Sequence, residues 1–345
     1  MNAPACQSPK TAGGQLCPET PRSQKVICNK TRGYLVYSEQ LGLVPQGDRL
    51  DTDFDILGVM GQGHCAVVYK CRSRLDGQLC AVKRFKARHY GALDRHARFL
   101  EAQCLAQLSS GSTGLERYIV RFQGCWEQHG RLHVQTELCE RSLEQVLAHS
   151  GSLAEPSIWR ILEDVAHGLQ LLHLYGLVHM DIKPANILLA QDCCILSDFG
   201  LCTQEGKWAD DGDRAYLAPE LLETAPVCAS DIFSLGLVLL RCRLEGELPQ
   251  GGPEWVSLRR GQLPDCGMSA GLKEVAERML RPQPSERPSL ESLVESAQAR
   301  DWVQGQTATQ RVQRSCMDLC APTVLELGRS SCQTALNLSA IFQHM

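Results

Sequence analysis

The sequence predicts an α+β fold in which a small strand-rich lobe precedes a larger helical lobe. Short apolar runs separated by glycine-containing turns dominate residues 54–138, a pattern typical of strands in hairpins. Beyond Cys139 the apolar residues recur at intervals of three and four, as on the buried face of a helix. Strands followed by helices favour two lobes of different kind, and the cleft between such lobes is the natural place for a ligand.

Five strands and one helix are predicted in the small lobe. They lie, in chain order, at 56–60, 67–71, 79–83, 93–108 (the helix), 119–122 and 132–136. The dipeptides Asp76-Gly77 and His129-Gly130 mark tight turns between paired strands. The helix is predicted from apolar residues at helical spacing between Leu93 and Leu108.

Four helices are predicted in the large lobe. Apolar residues from Ile158 to Leu172 form the core face of a long helix. The run 232–240 is apolar nearly all round, which predicts a buried helix. Two amphipathic segments follow near 271–281 and 289–299.

Composition divides the chain into three parts. Residues 1–53 contain several prolines and weak periodicity, so we expect a flexible N-terminal extension. Residues 54–300 are predicted to form the folded domain, and 301–345 a C-terminal tail. No stretch of the tail reaches the ~18 apolar residues that a membrane-spanning helix needs.

Charge and cysteine content narrow the class of protein. A net charge of -4 gives no reason to expect a nucleic-acid partner. Arg259-Arg260, the nearest approach to a basic cluster, is predicted to be a solvated helix face. The 18 cysteines include no C-x-x-C pair, which argues against a zinc site or a disulfide-rich scaffold. We therefore expect reduced, mostly buried cysteines in an intracellular protein.

A glycine-rich turn and a lysine form the first candidate functional group. Gly61-Gln62-Gly63 lies between two predicted strands, where glycine lets backbone amides close over phosphate groups. Lys83 follows 22 residues after Gly61, and strand alternation puts Ala81 on the same face. Ala66 stands where such turns usually have a third glycine. Glu101, in the predicted helix, is either the ion-pair partner of Lys83 or a solvated carboxylate.

The most specific segment is His179-Met180-Asp181-Ile182-Lys183-Pro184-Ala185-Asn186. Asp198-Phe199-Gly200 and Ala218-Pro219-Glu220 follow it, and farther on come Asp231 and Arg287, the latter a candidate partner for Glu220. These elements, in this order and spacing, resemble the motifs of protein kinases.

The resemblance to protein kinases implies a bilobal kinase fold that uses ATP and Mg²⁺. The catalytic residues it implies are Lys83, Glu101, Asp181 and Lys183. Asp181 would accept or orient the proton of the acceptor hydroxyl, and Lys183 would stabilise charge on the transferred phosphoryl group. Asn186 and Asp198 would bind the metal through hard oxygen ligands, which suit Mg²⁺.

Two departures from the general kinase pattern are informative. Met180 stands where most kinases have an arginine that pairs with a phosphate on the activation segment, which is 199–219 in this sequence. We therefore expect an enzyme that needs no phosphorylation of that segment. Asp213 stands where Ser/Thr kinases usually have a threonine, and it could form an ion pair with Lys183. The alternative for Asp213 is an exposed turn residue.

Several stretches together resemble the Wee family of kinases, and in particular its branch of membrane-associated, tyrosine- and threonine-specific inhibitory kinases. They are 135–139, 176–181, 212–213, 218–222, 231–237 and 247–252. The intact Asp198-Phe199-Gly200 and Ala218-Pro219-Glu220 favour this branch. The last two stretches are not required by phosphoryl transfer itself, which makes them specific to the family.

This second resemblance implies inhibitory phosphorylation of a cyclin-dependent kinase in complex with cyclin, which delays mitotic entry. The residues implied to bind the nucleotide are Met60, Gly61, Gln62, Gly63, Val68, Ala81, Lys83, Thr136, Glu137, Cys139 and Leu188. Thr136 would be the gatekeeper and 137–139 the hinge that hydrogen-bonds adenine. We expect a monomer in the cytoplasm, the nucleus or both. The branch resemblance adds membrane association at the endoplasmic reticulum or Golgi, although no anchor is predicted in 301–345.

Two other functions remain open from the sequence. Lys183-Pro184 is typical of the Ser/Thr-type catalytic loop, so a Ser/Thr kinase with unrelated substrates is one of them. The other is a pseudokinase that binds cyclin complexes without chemistry, which Ala66 motivates.

Overall fold

The computed structural model of this protein describes residues 36–38, 48–63, 65–86, 92–139, 141–190, 192–208 and 212–303. No helix within these residues is long and apolar enough to cross a membrane. The predicted tail, 301–345, lies outside them apart from its first three residues.

A six-stranded sheet forms the small lobe. Its strands are β1 (Val36–Ser38), β2 (Phe54–Gln62), β3 (Ala66–Ser73), β4 (Leu79–Phe85), β5 (Phe122–Gln128) and β6 (Arg131–Glu137). Their order across the sheet is β1-β5-β6-β4-β3-β2, and every pair is antiparallel except β1 with β5. Helices α1 (Arg49–Asp53) and α2 (Ala92–Leu108) complete the lobe. The predicted strands and helix of this lobe are confirmed except at 119–122.

The register of the sheet brings apolar and charged side chains together on one face. Val68 on β3 and Val134 on β6 both lie opposite Lys83 on β4, and Thr136 lies opposite Ala81. Because directly paired residues share a face of a sheet, these five side chains line one surface. That surface faces the helical lobe.

Two predictions for this lobe need correction. The strand expected at 119–122 is wrong: the strand is β5, and Ile119 makes only an isolated bridge with Leu196. The apolar pair Ile119 and Val120 is buried in the main core, so its hydrophobicity reflects packing between the lobes and not strand pairing. The flexible extension predicted for 1–53 lies largely outside the described residues, but its described parts are ordered elements: 36–38 form β1 and 49–53 form α1. Leu50 of α1 is buried with Trp126 in a second, smaller core.

The large lobe consists mainly of helices. They are α3 (Leu143–Ser150), α4 (Glu155–Leu174), α5 (Cys228–Arg243), α6 (Gly252–Arg259), α7 (Ala270–Met279) and α8 (Leu290–Val303). The four predicted helices correspond to α4, α5, α7 and α8. All 13 residues from Ser230 to Cys242 of α5 are buried, which confirms a helix that is apolar nearly all round.

Short strands in the large lobe position its loops. β7 (Arg141–Ser142), β9 (Ile187–Leu189) and β10 (Cys194–Leu196) form one small sheet, and β8 (Leu177–Val178) pairs with β11 (Thr203–Gln204) in another. β9 and β10 are antiparallel, so the residue before β9 lies beside the residue after β10. The backbone N–H of Ser197 accordingly donates to the carbonyl of Asn186 at 2.9 Å.

Candidate active site

A cavity of about 430 Å³ lies between the two lobes. All eleven residues predicted to bind the nucleotide line it, and so do Glu101, Asn186 and Asp198. The fold therefore brings together residues from β2, β3, β4, α2, β6 and the loops around β9 and β10. Sequence reasoning missed part of the lining, including Leu105, Val120 and Val134, whose apolar character alone does not separate a cavity wall from a core.

The glycine-rich turn covers this cavity, and no neighbouring atom in the described part of the chain crowds its glycines. A Cβ atom built on Gly61 or Gly63 has no atom of the described residues within 4 Å. Glycine is therefore not required there by the protein's own packing, and open space remains for a bound group. Ala66, by contrast, is buried and does not line the cavity. Its methyl group does not obstruct the site.

Lys83 lies between two carboxylates that come from different elements. Its Nζ is 2.8 Å from Oε1 of Glu101 on α2 and 2.7 Å from Oδ1 of Asp198, two residues after β10. Burial alone would lower the pKa of Lys83, but the charges of Glu101 and Asp198 raise it above its ordinary value. The ammonium therefore stays charged, and the predicted pairing of Lys83 with Glu101 is present.

The two carboxylates around Lys83 have opposite pKa shifts. The side chain of Glu101 is only 4% exposed, and this burial raises its pKa although Lys83 lowers it. Burial also acts on Asp198, but the charge and the hydrogen bond of Lys83 prevail and lower its pKa. Asp198 is thus the more firmly ionised carboxylate of the pair.

Asn186 and Asp198 offer oxygen atoms of the kind Mg²⁺ prefers. Nδ2 of Asn186 donates to the carbonyl and to Oδ2 of Asp181, both at 2.8 Å, so its amide oxygen takes no part in those bonds. Oδ1 of Asp198 accepts from Nζ of Lys83, and Oδ2 takes no part in that bond. The described residues contain no group of three or more His, Cys, Asp or Glu that could hold a metal ion. The donor set fits Mg²⁺, which is usually bound through one or two protein ligands together with phosphates.

A second lysine and two aspartates form the other side of the site. Nζ of Lys183 is 2.9 Å from Oδ2 of Asp181 and 3.8 Å from Oδ2 of Asp213. The backbone N–H of Asp213 also donates to Oδ1 of Asp181 at 3.2 Å. Burial would lower the pKa of Lys183, and the hydrogen bond and charge of Asp181 raise it. Asp213 is therefore not a free turn residue but part of this network.

Gly212 determines how closely the activation segment approaches. A Cβ atom on Gly212 would lie 2.2 Å from the carbonyl oxygen of Met180, closer than any real contact. Only glycine allows the segment to lie against the loop that carries Asp181. The sequence singled out Gly212 through resemblance alone, and the structure supplies the steric reason.

Buried Asp231 fixes the backbone around Met180. Its carboxylate accepts from the N–H groups of His179 at 2.9 Å and Met180 at 3.1 Å, and His173 lies at 3.0 Å from the same group. Met180 has a φ of 72°, a left-handed conformation that costs a non-glycine residue energy. Its side chain is buried in the main core. An apolar residue in this place brings no charge that a phosphate would have to neutralise.

Glu220 and Arg287 confirm the predicted pair that closes the activation segment. Nη1 and Nη2 of Arg287 contact the two carboxylate oxygens of Glu220, each at 2.6 Å. The side chain of Arg287 is fully buried. This bidentate geometry is the strongest form of such a contact.

The expectation that Arg259 is solvated is wrong. Arg259 is 5% exposed and donates to the carbonyls of Arg214 and Ala215 at 2.9 Å and of Leu217 at 3.2 Å. Its guanidinium also lies 4.2 Å from the ring centroid of Trp255, four residues earlier on α6. Burial, with a smaller effect of Arg214, lowers its pKa to about 10. The Trp255–Arg259 spacing is the sequence signal that could have revealed this contact.

Comparisons with known proteins agree with this geometry. The family model for the protein kinase domain matches residues 54–302. A membrane-associated tyrosine- and threonine-specific cdc2-inhibitory kinase of Drosophila melanogaster is 38% identical over 250 residues, which cover 70% of this chain and 46% of the fly protein. A Wee1-like protein kinase of Oryza sativa is 32% identical, with 71% of this chain and 47% of the rice protein covered.

A third relative is similar over most of its own length. A probable protein kinase of Dictyostelium discoideum is 36% identical, and the alignment covers 70% of this chain and 71% of that protein. The chain spans less than half the length of the fly and rice relatives. The fold, the arrangement of the site and these matches lead to one conclusion. The chain belongs to the protein kinase family and, within it, to the Wee kinases.

Proposed function

We propose that this chain transfers the γ-phosphoryl group of ATP to threonine and tyrosine of a cyclin-dependent kinase in complex with cyclin, which inhibits that kinase and delays mitotic entry. The names of the fly and nematode relatives, tyrosine- and threonine-specific cdc2-inhibitory kinases, support this acceptor. The observation that carries the proposal is the network of Asp181, Lys183 and Asp213, in which a carboxylate takes the position of the usual threonine.

On the nucleotide side, Lys83 would contact the α- and β-phosphates, and Glu101 would hold it in place. Asn186 and Asp198 would bind Mg²⁺, which offsets phosphate charge when bound. Thr136 and the hinge at 137–139 would orient the adenine. The support is that all these residues except Leu138 line one cavity, while an ion pair of 2.8 Å joins the two elements that carry Lys83 and Glu101.

On the acceptor side, Asp181 would orient the hydroxyl and take its proton as the phosphoryl group is transferred. Lys183 would stabilise the negative charge of that group. Asp213 would draw Lys183 toward the activation segment and, through its N–H, hold the carboxylate of Asp181. This gives an acceptor floor that differs from that of a Ser/Thr kinase.

The site would work without phosphorylation of the activation segment. Three features support this: Met180 is buried without charge, Gly212 lets the segment lie against the loop, and Arg259 donates to the carbonyls of Arg214, Ala215 and Leu217. Together they supply by packing and hydrogen bonds the order that a phosphate supplies in other kinases.

The two alternatives differ in their support. The hypothesis of a pseudokinase depends on Ala66, and it is weakened because Ala66 does not line the cavity. The hypothesis of a Ser/Thr kinase with unrelated substrates is still supported by Lys183-Pro184. Membrane association, which the relatives' names include, is part of the proposal and rests on those names alone.

The test is incubation with a cyclin-bound cyclin-dependent kinase and ATP with Mg²⁺, followed by mapping of phosphothreonine and phosphotyrosine on the acceptor. We expect both modifications on the acceptor's glycine-rich loop, and their loss with Asp181→Asn. Phosphorylation of generic peptides but not of this acceptor would refute the proposed substrate. An inhibitory effect that survives Asp181→Asn would refute the chemistry and support the pseudokinase.

A further inference from the structure

Two thiols face each other across the boundary between α2 and the activation segment. Sγ of Cys104 lies 3.9 Å from Sγ of Cys202, although the residues are 98 positions apart in the chain. Both side chains are half-buried against the main core. We propose that Cys104 and Cys202 form a regulatory disulfide that locks α2 in its inward position beside Lys83.

Each of these two cysteines lies close in sequence to a carboxylate that contacts Lys83. Cys104 lies three residues after Glu101 on α2, so the two side chains share a face of the helix. Cys202 lies four residues after Asp198, and its N–H donates to the carbonyl of Phe199 at 3.1 Å. A bond between the sulfurs therefore ties the helix that holds Lys83 to the segment that carries Asp198.

The space around Gly200 also shows how closely α2 and the activation segment approach each other. A Cβ atom on Gly200 would lie 3.5 Å from Oε2 of Glu101 and 3.3 Å from Oδ1 of Asp198. On its far side, Cys202 precedes β11, which pairs with β8. The backbone around Cys202 is therefore held from both directions. If α2 moved outward, the ion pair of Lys83 with Glu101 and the sulfur contact would break together.

The bond requires only a small movement. A disulfide has an S–S length of ~2.05 Å, so the sulfurs must close from the present 3.9 Å. Rotation of half-buried side chains about their χ1 bonds supplies displacements of this size.

The oxidant is a peroxide, and the reaction balances without any other reagent. One thiol loses its proton, the thiolate attacks a peroxide oxygen and the O–O bond breaks. A sulfenic acid forms, and the hydroxide that leaves takes up the lost proton as water. The second thiol then attacks the sulfenic sulfur, the S–O bond breaks, and hydroxide leaves with the thiol proton as water. Two thiols lose two electrons, and hydrogen peroxide is reduced to two molecules of water. The hydrogen bond with Cys104, and then burial, raise the pKa of Cys202, so we assign the first attack to Cys104.

The test is peptide mapping of the full chain. Reduced protein is treated with hydrogen peroxide, blocked with N-ethylmaleimide, digested and sequenced by tandem mass spectrometry. We expect a linked peptide pair that contains Cys104 and Cys202 and that dithiothreitol separates. Cys104→Ser and Cys202→Ser should abolish it, and Cys266→Ser, a half-buried cysteine elsewhere in the large lobe, should leave it unchanged. Separate oxidation or alkylation of the two thiols in the wild-type chain would overturn the proposal.

The consequence for the site is measured on the same samples. A lock that preserves the assembled site should raise the Tm on the order of 5 °C and leave the Kd for ATP within about twofold. A linked protein whose ATP affinity falls more than tenfold would show that the bond distorts α2, and this would overturn the locking role. Neither readout depends on the identity of the acceptor, so failure here and failure of the proposed function are distinguishable.

Discussion

Two lysines of this site each lie between two carboxylates, and the two arrangements are held together in different ways. Lys83 on β4 is 2.8 Å from Glu101 and 2.7 Å from Asp198, and these three residues come from three elements in both lobes. Lys183 is 2.9 Å from Asp181 but 3.8 Å from Asp213, and all three belong to the large lobe. The nucleotide side therefore depends on how the lobes and α2 are arranged, whereas the acceptor side depends on one loop and the activation segment.

The difference shows where this kinase can be regulated. An ion pair that joins separate elements breaks when either element moves, so the Lys83 contacts report the position of α2. The chain around the Lys183 contacts is held by buried Asp231, which accepts from the N–H of Met180, and by Gly212, which lies close against the carbonyl of Met180. Substitutions on the nucleotide side should therefore have large effects on the rate that depend on conformation. Substitutions on the acceptor side should have smaller and local effects.

The largest expected effect comes from Lys83→Met. Removing the ammonium would delete the contact to the phosphates proposed above and leave buried Glu101 without its partner, so kcat/KM should fall on the order of 10³-fold. Steady-state phosphoryl transfer to the protein acceptor measures this loss, with thermal melts to verify folding. Lys273→Met, at an exposed position on α7, is the matched control and should be neutral. A loss of less than about tenfold would contradict the nucleotide-side assignment.

Lys183→Met should have the next largest effect, and of a different kind. Lys183 does not line the cavity between the lobes, so its loss should lower kcat on the order of 10²-fold while KM for ATP stays unchanged. The comparison of kcat and KM between the two lysine variants separates the two sides of the site. If KM for ATP rose as much as kcat fell, Lys183 would belong to the nucleotide side.

Glu101→Gln should sharpen the comparison through pH. Burial raises the pKa of Glu101, while that of Asp198 is lowered, so on acidification Glu101 takes up a proton first and Lys83 keeps only Asp198. The wild-type kcat should therefore fall on the acid side, and the variant, about tenfold slower at neutral pH, should lack this fall. Glu144→Gln, an exposed carboxylate at the edge of the cavity, is the control.

The stability of the protein should not follow the same pH dependence. A raised pKa means that the folded state takes up the Glu101 proton more readily than the unfolded chain does. Protonation of this group therefore stabilises the fold as pH falls, and its destabilising influence appears only as pH rises. Loss of activity should precede any loss of Tm on acidification. A Tm that falls together with kcat would indicate unfolding and not titration of Glu101.

Part of the nucleotide side could be predicted from a local signal. Alternation along one strand places Ala81 and Lys83 on one face, because side chains along a strand alternate with a period of two. The pairing of Glu101 with Lys83, 18 residues apart, is implied by the resemblance to protein kinases, since spacing alone also allows a solvated carboxylate at Glu101. Most of the other nucleotide-binding residues are likewise implied by the resemblance and not by any period of the chain.

The remaining features depend on which elements pack together, and no period encodes that. Arg259 has the sequence properties of a solvated residue, and only the docking of α6 on 214–217 supplies its carbonyl acceptors. Ile119 and Val120 have the composition of a strand, yet they fill the core between the lobes. The contact of Cys104 with Cys202 joins residues 98 apart and has no sequence signature.

The smallest expected effect comes from Asp213→Asn, which removes one charge and retains the local structure. The amide oxygen can still accept from the N–H of Ala215, now at 3.0 Å from Oδ1, and the backbone N–H can still donate to Asp181. The side chain of Asp213 is 32% exposed and 3.8 Å from Lys183, so solvent screens the pair and its contribution is about 0.2–1 kcal/mol.

The rate with Asp213→Asn should therefore fall less than about fivefold, measured as kcat for threonine and for tyrosine separately. The rate with Asp213→Ala should fall further, because this variant also loses the acceptor for the N–H of Ala215 and with it a turn contact of the segment. The rate with Asp213→Asn could instead fall 10²-fold or more, which is the scale expected for one lost transition-state contact. The charge of Asp213 itself would then govern the position of Lys183. The acceptor side would then depend on its second carboxylate as strictly as Lys83 depends on Glu101, and the contrast between the two lysines would disappear.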